Sequence, residues 1–72
     1  MTQDANSKLI ELNGEPRHVV AESAFELLRS LDIDPRTVVV ELNRQVVRRV
    51  QLESTPINEG DQVELVHFVG GG

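Results

Sequence analysis

The sequence contains no cysteine, tryptophan or tyrosine, and two phenylalanines are its only aromatic residues. Without cysteine, neither a disulfide nor a thiolate zinc site can hold the fold together, and any sulfur chemistry must use a group other than a side-chain thiol. The core must therefore be stabilised by apolar packing, for which 39% of the residues are hydrophobic. A chain of 72 residues suffices for one compact domain that buries roughly 60% of the surface of its unfolded state.

A domain of this size has little room for an enclosed substrate cavity, which usually needs about 300 Å³ or more. We therefore expect a protein that is not an enzyme and has no catalytic residues. The two histidines, His18 and His67, have neither a cysteine nor a metal-spaced carboxylate cluster near them in the sequence, so they predict no metal site.

The formal net charge is −5, which is unfavourable for binding nucleic acid or an anionic membrane and suits a partner with a basic surface. No segment has the ~18 apolar residues that a transmembrane helix needs, and the polar start of the chain lacks the pattern of a signal peptide. These features predict a cytoplasmic protein with no nucleic-acid or membrane partner, and we expect a monomer.

Short apolar runs separated by turn signals predict strands and one helix in the order β-β-α-β-β-β. Asn13-Gly14 is typical of a type I′ hairpin turn, because both residues tolerate a positive φ. The stretch 48–55 has no clear pattern, and turn residues follow it. The predicted strands are 9–12, 17–20, 37–42, 46–47 and 62–69.

The helix is predicted to begin at Ser23, which forms a capping box with Glu26. Apolar residues at i, i+3, i+4 and i+7 then form one stripe facing a sheet. The proline at position 35 is expected to stop the helix, because the residue before a proline disfavours the helical region. The stripe consists of Ala24, Leu27, Leu28 and Leu31.

These elements predict an α+β fold, in which one main helix packs on one face of a mixed sheet of four to five strands. We expect this domain to span residues 8–69. Residues 1–7 are predicted to be a flexible extension, and residues 70–72 a flexible glycine tail.

Gly70, Gly71 and Gly72 directly follow the last predicted strand. Glycine has the most conformational freedom to lose on ordering, so this run favours a mobile arm over a folded element. Fully extended, three residues reach about 10 Å, enough to thread the carboxylate of Gly72 into a partner's cleft. The chemistry that needs such an arm is activation by a nucleotide, giving an acyl-adenylate that a sulfur nucleophile can attack. A frayed end without function is the alternative that composition leaves open.

Val66 and Phe68 alternate with Val63 and Leu65 on the last strand, so the first pair is expected to face outward if the second faces the helix. We predict that Val66, Phe68 and the neighbouring Val69 form an apolar docking patch beside the tail. A loop or the sheet edge covering Phe68 is the alternative. Two acidic turn residues are predicted to help present negative charge to a basic partner, namely Glu59 and Asp61.

Several segments resemble, in their order and spacing, the ThiS family, the sulfur carriers of thiamin-thiazole biosynthesis. The resemblance covers nearly all residues after Ser7 and includes a Gly-Asp turn, an apolar strand and the final glycines. Arg48 stands where the family often has proline, and Phe25 replaces a typically small helix residue. The segments that carry the resemblance are Leu12-Asn13-Gly14-Glu15, Ser23 to Leu31, Val38 to Val47, and the run TPINEGDQVELVHFVGGG from Thr55.

This resemblance implies a ubiquitin-like β-grasp fold and a carrier that binds no cofactor of its own. It implies that an E1-like adenylyltransferase, using ATP and magnesium, adenylates Gly72. The adenylate would then become a thiocarboxylate, with sulfur from a donor such as a cysteine desulfurase, and the sulfur would pass to thiazole synthase.

Three alternatives remain open from the sequence. A carrier for another pathway, such as cysteine synthesis or the small subunit of molybdopterin synthase, would use the same tail chemistry, although Val69 stands where that subunit usually has a Pro-Pro stretch. A ubiquitin-like protein modifier would instead join Gly72 to a target lysine. An interaction module with an inert tail would need no activation.

Overall fold

A computed structural model describes residues 6–68 of the chain. The order of strands and helix is the predicted β-β-α-β-β-β, with two additional 3-10 helices, one at Pro35–Thr37 and one at Arg49–Ser54. None of the helices in the described part of the chain is long and apolar enough to cross a membrane. The main elements are β1 Lys8–Leu12, β2 Glu15–Val19, α1 Ala24–Ser30, β3 Val38–Leu42, β4 Gln45–Val47 and β5 Gln62–His67.

The strands form one five-stranded sheet in the order β2-β1-β5-β3-β4. β1 and β5 are parallel, whereas the other neighbouring pairs are antiparallel. The sheet is therefore mixed, with β5 at its centre. Together with one main helix, this is the α+β, β-grasp architecture that the sequence predicts. The predicted extension at 1–7 and the predicted tail at 70–72 are not tested, because residues 1–5 and 69–72 lie outside the described residues.

The core lies between α1 and the sheet face that it covers. Three of the four predicted stripe residues of the helix are buried, and the fourth, Leu31, is half-buried. Leu52 from the second 3-10 helix adds to this core, although the sequence of that stretch shows no periodicity. Burying one leucine side chain contributes about 1.5–3 kcal/mol. The buried core residues are Ile10, Val19, Ala21, Ala24, Leu27, Leu28, Val38, Val40, Leu52, Ile57, Val63 and Leu65.

The start of α1 confirms the predicted cap. Ser23 is the N-cap residue, and its side-chain oxygen accepts a hydrogen bond from the Glu26 N–H at 3.1 Å. The Glu26 carboxylate accepts from the Glu22 N–H at 3.0 Å, one residue before the position that a standard capping box uses. The first interaction satisfies a backbone N–H group that a helix start leaves without a partner, whereas the second satisfies the N–H just before the cap.

The end of α1 differs from the prediction, because Pro35 does not stop the helix. The helix ends at Ser30, and Asp32 adopts a left-handed conformation with φ of 60°. The Asp32 N–H donates to the Arg29 carbonyl at 3.1 Å, and the Ile33 N–H donates to the Leu28 carbonyl at 2.9 Å. This is a Schellman motif, which usually has glycine at the left-handed position. Pro35 instead begins the first 3-10 helix.

Asparagines in both hairpin turns attach those turns to β5. Asn13 and Asn43 have φ values of 50° and 52°, which asparagine tolerates better than most residues. The Asn13 side-chain oxygen accepts from the Leu65 N–H at 2.8 Å, so it continues the hydrogen bonding of β5 beyond the end of β1. The Asn43 side-chain oxygen accepts from the Gln62 N–H at 2.9 Å. Each turn therefore fixes a different segment of β5.

We expect Asn13→Ala to lower the free energy of unfolding by about 2–3 kcal/mol, because it leaves the part-buried Leu65 N–H without its acceptor and places alanine at a positive φ. Urea denaturation measures this loss. Asn13→Asp, which keeps the acceptor oxygen, is the control and should retain most of the stability. Equal stability of the alanine variant and the wild type would contradict the proposed role of this turn.

Candidate functional site

The sheet face opposite α1 carries an exposed apolar patch at the end where β5 finishes. Strand register places Val39 opposite Val66, and Val46 opposite Glu41, on this outer face. Val46, Val66 and Phe68 are 61%, 53% and 57% exposed, and Val39 is half-buried. We call Val39, Val46, Val66 and Phe68 the apolar patch.

Val66 and Phe68 are thus both exposed, as their predicted outward orientation requires, and their part in docking stays a prediction. Val46 was not singled out in the sequence. The orientation of the Val46 side chain depends on the register of the β3–β4 hairpin. This register is fixed by the position of the turn at Asn43-Arg44.

Phe68 is fixed just beyond the end of the central strand β5 by a backbone hydrogen bond. Its N–H donates to the Thr37 carbonyl at 2.9 Å, just beyond the last residue of β5. This bond sets the point from which the chain continues toward Val69 and the glycines. Val69, Gly70, Gly71 and Gly72 themselves lie outside the described residues, so their predicted roles stay predictions.

Glu59 and Asp61 lie at the opposite end of β5 from Phe68. With a rise of about 3.3 Å per residue, the seven steps from Asp61 to Phe68 span roughly 23 Å. The Glu59 carboxylate accepts from the Leu9 N–H at 2.9 Å, and the Asp61 carboxylate accepts from the Asn58 N–H at 2.8 Å. Both acids therefore hold the turn before β5, and the structure does not bring them to the apolar patch. Their predicted part in docking stays untested.

Positive charge borders the apolar patch instead. Arg36, Arg48 and Arg49, which we call the arginine rim, line a shallow cavity of about 210 Å³ together with Phe68. Arg36 comes from the first 3-10 helix, whereas Arg48 and Arg49 follow β4. The order β5-β3-β4 of the sheet brings these separate segments together. The chain is acidic overall, yet three arginines lie beside the apolar patch.

The part of the same face farther from Phe68 is acidic, and it adjoins the apolar patch, because Glu41 is opposite Val46. Glu41 and Glu64 are directly opposite each other on β3 and β5, and with Glu11 and Arg44 they line a second shallow cavity of about 330 Å³. Within residues 6–68, no group of three or more histidine or acidic side chains has an arrangement that could hold a metal ion. Both histidines are exposed on strands. The sheet face is thus polarised from an acidic end to an apolar end bordered by arginine.

Asp34 fixes one member of the arginine rim. The Arg36 guanidinium donates to both Asp34 carboxylate oxygens, with the shortest contact at 2.8 Å, and the Arg36 backbone N–H donates at 2.9 Å. These hydrogen bonds lower the pKa of Asp34 to about 2. They stabilise the ionised carboxylate, which in turn holds the guanidinium in one orientation.

We expect Arg36→Gln to raise the pKa of Asp34 toward its usual 3.8, because the main hydrogen bonds to the carboxylate are lost. A lowered pKa means that the stabilisation by ionised Asp34 is present above pH 3.8 and is lost as the pH falls toward 2. An NMR titration of the Asp34 carboxyl carbon measures the shift. Arg17→Gln on β2 is the control, and an unchanged Asp34 pKa in Arg36→Gln would contradict the pairing.

Fold and site together define a ubiquitin-like β-grasp domain whose central strand ends at an exposed apolar patch and leads into a glycine run. The model of the ThiS family matches residues 10–72, and the chain belongs to this family. This confirms the resemblance found in the sequence.

Known proteins of two kinds, ThiS proteins and thiazole synthases, are similar to the chain. It is 34% identical over 66 residues to the sulfur carrier protein ThiS of Bacillus subtilis, covering 89% of this chain and 100% of that protein. The crystal structure of the thiamine biosynthesis protein ThiS from Geobacter metallireducens superposes with a TM-score of 0.75 at 40% identity, covering 89% and 99% of the two chains. A thiazole synthase of Magnetococcus marinus is 45% identical over 64 residues, which are 88% of this chain but 20% of that protein. The chain therefore spans about a fifth of that enzyme.

Proposed function

We propose that this chain is a sulfur carrier of thiamin-thiazole biosynthesis and that Gly72 carries the sulfur as a thiocarboxylate. The main support is the ThiS family match, which runs through residue 72. The alignment with the sulfur carrier of Bacillus subtilis over that protein's whole length agrees with it. The family also favours the thiamin pathway over a subunit of molybdopterin synthase.

In the proposed reaction, the Gly72 carboxylate attacks the α-phosphorus of ATP and pyrophosphate leaves. A sulfide nucleophile, released when a thiol reductant reduces the persulfide of a donor such as a cysteine desulfurase, then attacks the acyl carbon and AMP leaves. An E1-like adenylyltransferase binds the ATP and magnesium for the first step. The carrier needs no catalytic side chain of its own and contributes the position of its tail.

The fold supports this positioning role through β5. Hydrogen bonds hold this strand on both sides, and the bond from the Phe68 N–H to the Thr37 carbonyl fixes its end. The four residues that follow, 69–72, reach about 14 Å when extended. A rigid origin with a short arm lowers the entropy cost of placing the carboxylate in a partner's cleft.

We propose that the apolar patch docks on the activating enzyme and that the arginine rim meets carboxylates on that enzyme. Exposed apolar side chains that border charged ones are typical of interaction surfaces. This assignment keeps Val66 and Phe68 from the sequence prediction and adds Val39 and Val46. It supposes that the partner's surface around the docking site is acidic, although the net charge of the carrier suggests a basic partner.

Thiazole synthase is the proposed sulfur acceptor. A thiazole synthase of Magnetococcus marinus contains a segment 45% identical to this chain, which makes up 20% of its length. Joining two domains in one polypeptide raises their effective concentration for each other, so such a fusion favours domains that act together. This relationship supports a direct encounter between the present carrier and a thiazole synthase.

Incubation with ATP, magnesium, a sulfide source and a cognate E1-like enzyme should increase the intact mass of the chain by about 16 Da, the difference between sulfur and oxygen. Deletion of Gly72 should abolish both this shift and the release of pyrophosphate, while the thermal unfolding curve stays unchanged.

Pyrophosphate release by the deleted form would contradict the role of Gly72. Capture of the adenylate by lysines of other proteins, without the mass gain, would support the protein-modifier alternative. If the mass of the chain does not change, although the same enzyme is active on another carrier, an interaction module with an inert tail becomes the better explanation.

We expect Phe68→Ala to weaken binding to the activating enzyme about 10-fold, because an exposed aromatic side chain within an apolar patch is a typical hot spot. Its melting temperature should change little, since Phe68 is 57% exposed. Val50→Ala is the matched control, because Val50 is 84% exposed outside the patch. Titration calorimetry measures the affinities, and a loss of stability with unchanged affinity would place Phe68 in the core instead.

A further inference from the structure

The basic residues of this chain are almost all arginine. Of its seven lysine and arginine residues, one is lysine, Lys8, and there is no cysteine. A lysine amine or a cysteine thiol can attack an activated carboxyl group, whereas a guanidinium stays protonated at neutral pH and is not a nucleophile. The composition thus supplies positive charge while nearly excluding side chains that form stable bonds to an acyl group.

Lys8 lies far from the start of the tail. The parallel strands β1 and β5 place Leu12 beside Val63, so Lys8 is four residues to one side of this point and Phe68 is five residues to the other. At about 3.3 Å per residue, the two are roughly 30 Å apart. The reach of residues 69–72 is about 14 Å, which is too short even with the length of a lysine side chain.

The Lys8 amine is also engaged within the domain. Its Nζ atom donates a hydrogen bond to the Ala21 carbonyl at 3.0 Å, and this contact is part-buried. Attack by Lys8 on the tail of a second copy would therefore require this hydrogen bond to break first.

The arginine rim, in contrast, borders the start of the tail. Arg48 and Arg49 line the same shallow cavity as Phe68, and residues 69–72 can reach about 14 Å from Phe68 when extended. Thr37, whose carbonyl accepts from the Phe68 N–H, has its hydroxyl engaged as a donor to the Asp34 carbonyl at 2.7 Å. A lysine in place of either arginine would bring an amine within reach of the activated carboxyl.

We infer that the arginine rim and the remote, hydrogen-bonded Lys8 protect the activated Gly72 from capture by the carrier itself. The reaction avoided is attack of an unprotonated amine nitrogen on the acyl carbon. The bond from that carbon to the AMP oxygen breaks, AMP leaves with the electron pair, and the amine proton passes to solvent. The product would be an amide, either a loop within one chain or a dimer, and the carrier would be lost. The biological meaning of this protection rests on the proposed function.

The test uses a chemically activated carrier, so it requires no partner enzyme. The 72-residue chain is prepared as a Gly72 thioester by thiol cleavage of an intein fusion. Arg48→Lys and Arg49→Lys preserve the charge and add an amine beside the tail. Arg17→Lys is the matched control, because Arg17 is opposite Ile10 on the edge strand β2, roughly 25 Å from Phe68 by strand spacing.

We expect Arg48→Lys and Arg49→Lys to form an internal amide about 100-fold faster than Arg17→Lys. A tethered amine has an effective concentration in the millimolar range, against about 10 μM for a second molecule in solution. Intact mass detects a chain that has lost its thiol and weighs one water less than the free acid. Peptide mapping places the link at position 48 or 49. Amide formation by the α-amino group, which all variants share, gives the background rate.

The inference would be overturned if Arg48→Lys and Arg49→Lys formed the amide no faster than Arg17→Lys while circular dichroism showed that all variants are folded. Rapid amide formation in the wild type, abolished by Lys8→Arg, would overturn it as well. Either result would leave the proposed sulfur-carrier function standing, since the thioester reports reach and reactivity alone. Failure of the proposed sulfur-carrier function would instead appear as the absence of the mass gain in the experiment with the E1-like enzyme.

Discussion

The hydrogen bonding of β5 along both of its edges is the constraint on which the rest of the structure depends. β3 pairs with it from Val63 to His67, and β1 together with the Asn13 side chain covers the other edge. Every other strand is attached to the sheet through β5 or through a strand that pairs with it. The described part of the chain thus ends, at Phe68, directly after the strand that joins the two halves of the sheet.

Features that depend on local chemistry were predictable from the sequence. The alternation of Val63 and Leu65 with Val66 follows from the two-residue period of a strand, and the structure has the first two buried and Val66 exposed. Asn13-Gly14 indicated the first hairpin because few residues tolerate its positive φ values. The cap at Ser23 was predictable for a similar reason, since a hydroxyl oxygen there satisfies a free N–H of the first helical turn.

Features that depend on tertiary contacts were not predictable from the sequence. Asp32 ends α1 in a left-handed conformation, although aspartate is a weak signal for such a position compared with glycine. The second 3-10 helix is too short to show a period, and its core contact through Leu52 follows from packing alone. The arginine rim combines residues from two distant segments, which only the strand order brings together. The acidic turn residues are visible in the sequence, but their internal hydrogen bonds are not.

The parallel pairing of β1 with β5 also separates the two ends of the domain. Because both strands run in the same direction, the chain enters the sheet at one pole and leaves it at the other. A fluorescent reporter attached ahead of β1 would therefore lie about as far from Phe68 as the sheet allows. Such a label would leave the surface around Phe68 unobstructed.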